Sequence, residues 1–174
     1  MEGFSTHVYL FIIPGIIGNV LHMFVVKKNL FPGIAKPLSA KLFGKNKTFR
    51  GFLFLPLAMG LVCILESIFF GPFSKNHLTD LFIGLGLGFV YMLSELPNSF
   101  VKRQLGIATG ESSANYKFLQ LFTDKTDSLI GACVFYFFMM KMQVWEIILL
   151  FLISLLLHFS ISWLLVLLNL KKSI

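Results

Sequence analysis

From its amino end the sequence sets long apolar runs against shorter polar stretches, and the runs are nearly continuous rather than periodic. Four of them, at about 8–26, 52–71, 78–94 and 145–168, approach the length of roughly 20 residues that a helix needs to cross a hydrocarbon core about 30 Å thick. A fifth, at about 127–140, does so only if Asp127 and Ser128 open it. No run alternates at period two, so the pattern predicts spanning helices and not the strands of a membrane barrel. The expected fold is an all-α integral membrane protein of about five transmembrane helices, with residues 1–174 as one membrane-embedded domain.

Composition agrees with the pattern. Charged residues make up 13% of the chain and hydrophobic ones 56%, whereas a soluble domain carries charge at roughly a quarter of its positions. The two cysteines, Cys63 and Cys133, lie inside apolar runs without CxxC or Cys/His metal spacing, so neither a disulfide framework nor a zinc site is expected. The stretch Met1 to His7 has Glu2 and no Lys or Arg, and no small-residue cleavage site follows it; the first run reads as a retained span.

An odd number of spans puts the termini on opposite sides, and the basic residues test this. Thirteen of the 15 Lys and Arg fall in the first loop, the third loop and the tail, leaving only Lys75 and Lys141 on the other side. The asymmetry predicts an outside N-terminus, a multi-pass cell-membrane protein, and two long cytoplasmic loops of roughly 25 and 30 residues. Function concentrates in such loops. The net charge of +7 is then a feature of that face, which topology and anionic lipid also explain. No nucleic-acid partner is expected. The absence of an internal repeat weakens a transporter reading. Gly84, Gly86 and Gly88, embedded in apolar sequence without a flanking Lys, favour close helix packing over a nucleotide loop.

Three polar constellations remain. "FGKNKTFRG", Phe43 to Gly51, offers Lys45, Lys47 and Arg50 as cationic donors, Thr48 as a hydroxyl, and glycines that let backbone approach a ligand. It lacks the spacing of a P-loop, and a basic juxtamembrane stop signal accounts for it as well. "SELPNSFVKRQLG", Ser94 to Gly106, would set Glu95, Ser99, Lys102 and Arg103 along one stripe if the helix runs through Pro97; alternatively Pro97 starts a new helix capped by Ser94. "TDKTDSLIGA", Thr123 to Ala132, places Asp124 and Asp127 three apart, either as a pair for a hard divalent cation or as the cap and first turn of a helix. All three lie on the face expected to be cytoplasmic, where carboxylates, separated cations and glycines read as a metal–polyphosphate site.

With those residues in view, the chain resembles the CTP-dependent phosphatidate cytidylyltransferases. "SFVKR" at 99–103 followed by "DKTD" at 124–127 is similar to their signature, and "NKTFRG" at 46–51 is similar to an earlier element. The match is closest to the CDP-archaeol synthase branch and covers about residues 14 to 135, with Pro14 and Asn19 resembling that branch's first helix. Glu95 stands where the family has Asp, Ser94 where it has Gly, and Lys125 where its larger members have Arg. The resemblance implies that a lipid phosphomonoester attacks the α-phosphorus of CTP to give a CDP-lipid and pyrophosphate. It implies Mg²⁺ on Asp124, Asp127 and Glu95, with Lys47, Lys102 and Arg103 at the phosphates. Thr48, Arg50, Ser99, Asn19 and Asn98 would then bind substrate. Expected partners are CTP, a phosphorylated glycerolipid of ether-isoprenoid or diacyl type lying with its tails in a groove between helices, the bilayer, and a second copy that would deepen the groove. A CTP-dependent lipid kinase of the polyprenol or phytol type and a non-enzymatic scaffold are the alternatives.

Overall fold

The computed structural model describes residues 3–111 and 117–168. Among these residues it has five long helices and no strand, only an isolated bridge between Pro37 and Thr48. We label them α1 (Phe4–Lys27), α2 (Phe49–Phe70), α3 (His77–Gln104), α4 (Lys117–Met140) and α5 (Val144–Leu167). All but α4 are long and apolar enough to cross a membrane. At 24 residues α4 has the length of a span, and its first half carries Asp124, Lys125 and Asp127. The outside of the bundle is apolar, with Leu57, Leu61, Ile68 and Phe82 each more than half exposed, as a surface facing hydrocarbon requires. The basic residues at 117, 171 and 172 used in the topology argument have side chains outside the described residues.

Two helices differ from the apolar pattern in the same way: each carries polar residues within its body rather than ending at them. α3 runs unbroken through Pro97 to Gln104, well past the apolar run that ends near 94, so Ser94 is not a cap. α4 begins at Lys117 and not at Asp127. Thr123 and Thr126 donate their hydroxyls back to the carbonyls of Leu119 (2.8 Å) and Phe122 (3.0 Å), which satisfies these hydroxyls inside the helix. Asp124 and Asp127 therefore sit in the body of a helix, on one face, and neither caps it.

The α2–α3 hairpin is the tightest part of the bundle. A Cβ on Gly84 would lie 2.7 Å from the Met59 carbonyl oxygen, and one on Gly88 2.7 Å from the Pro56 nitrogen, so these two glycines let α3 lie directly on the backbone of α2. Gly86 instead receives the ring of Phe135 from α4. At the turn of the hairpin, Asp80 is fully buried and accepts from the Ser67 hydroxyl (2.6 Å), the Phe73 amide (2.9 Å) and the Ser74 hydroxyl. Ser67 Oγ also meets His77 Nδ1 at 2.7 Å, so one carboxylate organises the whole connection.

α1 closes the bundle against α2 and α4. Pro14 has no N–H to offer the Leu10 carbonyl one turn earlier, and the helix widens into a π turn over Val8–Ile12. The Cys63 thiol of α2 takes that carbonyl instead, at 3.9 Å. His7 Nδ1 lies 3.0 Å from the hydroxyl of Tyr136, which is itself wholly buried in α4.

Candidate active site

The antiparallel bundle brings the start of α2, the end of α3 and the first half of α4 to one end. The first loop is shaped there by its own backbone: Leu38 N–H donates to the Lys47 carbonyl (2.8 Å) and Phe49 N–H to the Lys36 carbonyl (3.0 Å), which fixes Lys47 beside α3. Thr48 caps α2, its hydroxyl oxygen accepting from the Gly51 amide at 3.4 Å. Arg50 is buried and donates to Asn29 Oδ1 (3.2 Å) and the Leu30 carbonyl (2.8 Å), tying the loop to the helix that follows it.

On α3, Glu95, Asn98 and Lys102 share a face, as their spacing of three and four dictates. Lys47 forms an ion pair with Glu95. Lys102 Nζ is 2.6 Å from the Asp124 carboxylate. Asn98 Nδ2 donates to both acids, to Asp124 Oδ1 at 2.7 Å and to Asp127 Oδ2 at 2.8 Å. The second oxygen of Asp127 accepts from the Ser128 amide at 2.6 Å. Two carboxylates from successive turns of α4 thus converge on one amide group of α3, flanked by two ammonium groups and a third carboxylate. Two cations face three acids, which leaves the cluster short of positive charge.

The model of the CarS-like CDP-archaeol synthase family matches residues 5–174. The chain belongs to that family. It is 34% identical over 98 residues to a CDP-archaeol synthase of Staphylothermus marinus, a match covering 56% of this chain and 49% of the relative. The aligned part therefore spans about half the length of the curated relative. No solved structure matches the chain.

Within this family member the expected site residues divide into two groups. Lys47, Glu95, Asn98, Lys102, Asp124 and Asp127 come together. Arg103 does not face the acids: neighbours on a helix point about 100° apart, and its guanidinium turns to the Ile107 carbonyl beside Gly44, in a hollow it shares with Lys41, Lys45 and Thr109. Gly44 has φ +83°, and a side chain on it would strike the Thr109 hydroxyl 2.7 Å away. Arg50 turns to the loop carbonyl and not to the acids. Ser99 is buried on α3, and Asn19 Nδ2 lies 3.5 Å from the Tyr91 hydroxyl, next to the cluster. Lys125 points away from the acids and donates to Ser162 Oγ of α5 at 2.6 Å.

The donor set suits a magnesium ion to a defined extent. Among the described residues no three His, Cys, Asp or Glu side chains form a group that could hold a metal, because Glu95 is drawn to Lys47. Two carboxylates do converge, and Mg²⁺ is commonly held by one or two carboxylates with water and substrate phosphates filling its shell. Ser94, the departure from the family pattern next to Glu95, fits a notch: its hydroxyl occupies the space a side chain on Gly131 would fill. The sequence argues against His22 as a catalytic group because it lies within an apolar span; on α1 it is half-buried within the field of Glu95, Arg50 and Lys47, neighbours of which that run gives no sign.

Proposed function

We propose that the chain is a CTP-dependent cytidylyltransferase that activates a phosphorylated glycerolipid at the cytoplasmic face of the membrane. The observation that carries this reading is the convergence of Asp124 and Asp127 on Asn98, with Lys102 and the Lys47–Glu95 pair beside them. Such a cluster can bring two polyanions together, which is the main difficulty of joining a lipid phosphate to a nucleotide.

Asp124 and Asp127 would hold Mg²⁺, and Glu95 stands beside them as a third carboxylate. The ion would neutralise phosphate charge and polarise the α-phosphoryl group. Lys102 and Lys47, each paired with an acid, would pass to the phosphate oxygens of CTP. The hydroxyls of Thr48 and Ser99 supply neutral donors, and Arg103 with Lys45 lies where departing pyrophosphate can be drawn out. In the step itself an oxygen of the lipid phosphate bonds to the α-phosphorus, and the bond from that phosphorus to the bridging oxygen of the β-phosphate breaks. The electron pair leaves with pyrophosphate. The nucleophile is already an anion at neutral pH, so alignment and charge stabilisation supply the catalysis and no general base is needed.

The test uses purified protein in detergent with Mg²⁺ and CTP labelled at the α- or γ-phosphate, offered archaetidic-type and diacyl phosphatidic acids. α-Label entering lipid with release of pyrophosphate is expected, and the preferred acceptor identifies the lipid. γ-Label entering an added polyprenol would instead establish a kinase. Asp124→Asn and Asp127→Asn should each lower turnover by on the order of 10³ while the protein still inserts and purifies as a folded bundle. Full activity in both variants would remove the metal assignment.

A further inference from the structure

Beside the charged cluster a half-open cleft lies between α1 and α5. Its walls are apolar except at two places: Asn19 and Tyr91 at the end next to the acids, and Ser154 and His158 along α5. Two features make it a built site. Gly15 of α1 lines it, and a side chain placed there would meet no heavy atom of the described residues within 4 Å, so the glycine borders open space. Ser154 is buried at 9% exposure, and among the described residues its hydroxyl finds no hydrogen-bond partner although it borders the cleft. A buried hydroxyl left unpaired is costly, and an oxygen of an occupant would relieve it.

Depth supports the same reading. Lys125, next to Asp124, is joined to Ser162 of α5. His158 and Ser154 follow on the same face of α5, one and two turns further from that end, about 6 and 12 Å of helix rise. An occupant of the cleft with a phosphate at the acids would therefore pass its glycerol backbone and linkage oxygens along this polar stripe before its hydrocarbon met Phe11 and Ile12.

We propose that this cleft seats the proximal part of one chain of the acceptor lipid, with Gly15 as its aperture and Ser154 as hydrogen-bond donor to an oxygen between the phosphate and the hydrocarbon. The inference rests on the cytidylyltransferase reading for the identity of the ligand, and its test separates the two. A lipid phosphate carrying a photoreactive diazirine near the start of one chain is irradiated with the protein in detergent. Labelled peptides from α1 around Gly15 and from α5 around Ser154 are expected, and Gly15→Leu should abolish that labelling. In steady-state assays Gly15→Leu should raise KM for the lipid roughly tenfold and Ser154→Ala roughly fivefold, with KM for CTP unmoved in both. Labelling confined to other helices, or a Gly15→Leu protein with the wild-type KM for lipid, would overturn the cleft assignment even if cytidylyl transfer is secure. Labelling at Gly15 and Ser154 in a protein that transfers no α-label would retain the cleft and refute the reaction.

Discussion

Lys47 and Glu95 show how single residues divide the work of the site. Each side chain is about one-fifth exposed, so the pair is only partly desolvated and either member can exchange its partner for a phosphate or a cation. If Lys47 is the one that passes to CTP, Lys47→Met should lower kcat/KM for CTP by about 10²-fold. Glu95→Gln should cost less, and the double variant should be no worse than Lys47→Met alone, since the two substitutions remove one interaction. Additive losses in a steady-state double-mutant cycle would mean that Glu95 acts on its own, as a metal ligand would. The residues of this cluster were legible in the sequence as charge types, and Asp124 and Asp127 also as a pair, because a spacing of three fixes a shared helix face. Their partners were not legible: Asn98 reaches them across more than 25 positions of chain. Nor does the adjacency of Lys102 and Arg103 reveal that one faces the acids and the other a separate basic hollow.

At the scale of elements, the apolar runs located the helices but could not give their ends. Hydropathy falls wherever a helix carries functional polar groups, and here those groups lie within α3 and α4, so both helices extend well beyond their apolar parts. The packing role of Gly84 and Gly88 was legible because small residues in an apolar run have few other uses, and both rest on the backbone of α2. Asp80 was not recognised as a structural residue, although it holds the opposite end of the same hairpin. Asp80→Ala would leave the Ser67 and Ser74 hydroxyls and the Phe73 amide without their acceptor, with a loss of stability on the order of 3 kcal/mol. Thermal unfolding in detergent should show this as a clear fall in Tm. Because the network lies at the far end of α3 from Asp124, cytidylyl transfer measured well below the new Tm should stay within about twofold of wild type, a shift smaller than any charge-pair loss.

For the whole molecule, the arrangement matters because the proposed reaction requires a soluble triphosphate and a membrane lipid to meet at one depth. The first loop and the connection after Gln104, which the extended α3 and α4 make far shorter than the roughly 30 residues expected, leave the same end of the bundle; there the Lys45 amide donates to Thr109 Oγ1 at 3.3 Å, and the acids lie just inside that end. On the proposed reading, CTP would enter from water above, while a lipid phosphate would reach the cluster from the bilayer with its chain lowered between α1 and α5. This geometry is productive only if the loop end faces the compartment that holds CTP, and the distribution of basic residues predicts that it does. The protein offers a simple way to measure its orientation. Its cysteines, Cys63 and Cys133, are both buried, so a thiol introduced at an exposed lysine will react over a low background. Lys45, at the loop end, and Lys75, at the turn between α2 and α3, are both exposed. In intact cells treated with an impermeant maleimide, Lys75→Cys should be modified and Lys45→Cys protected until the membrane is opened. The reverse labelling would place the acids on the outer face, away from CTP, and would refute cytidylyl transfer at that site whatever the purified protein does in detergent.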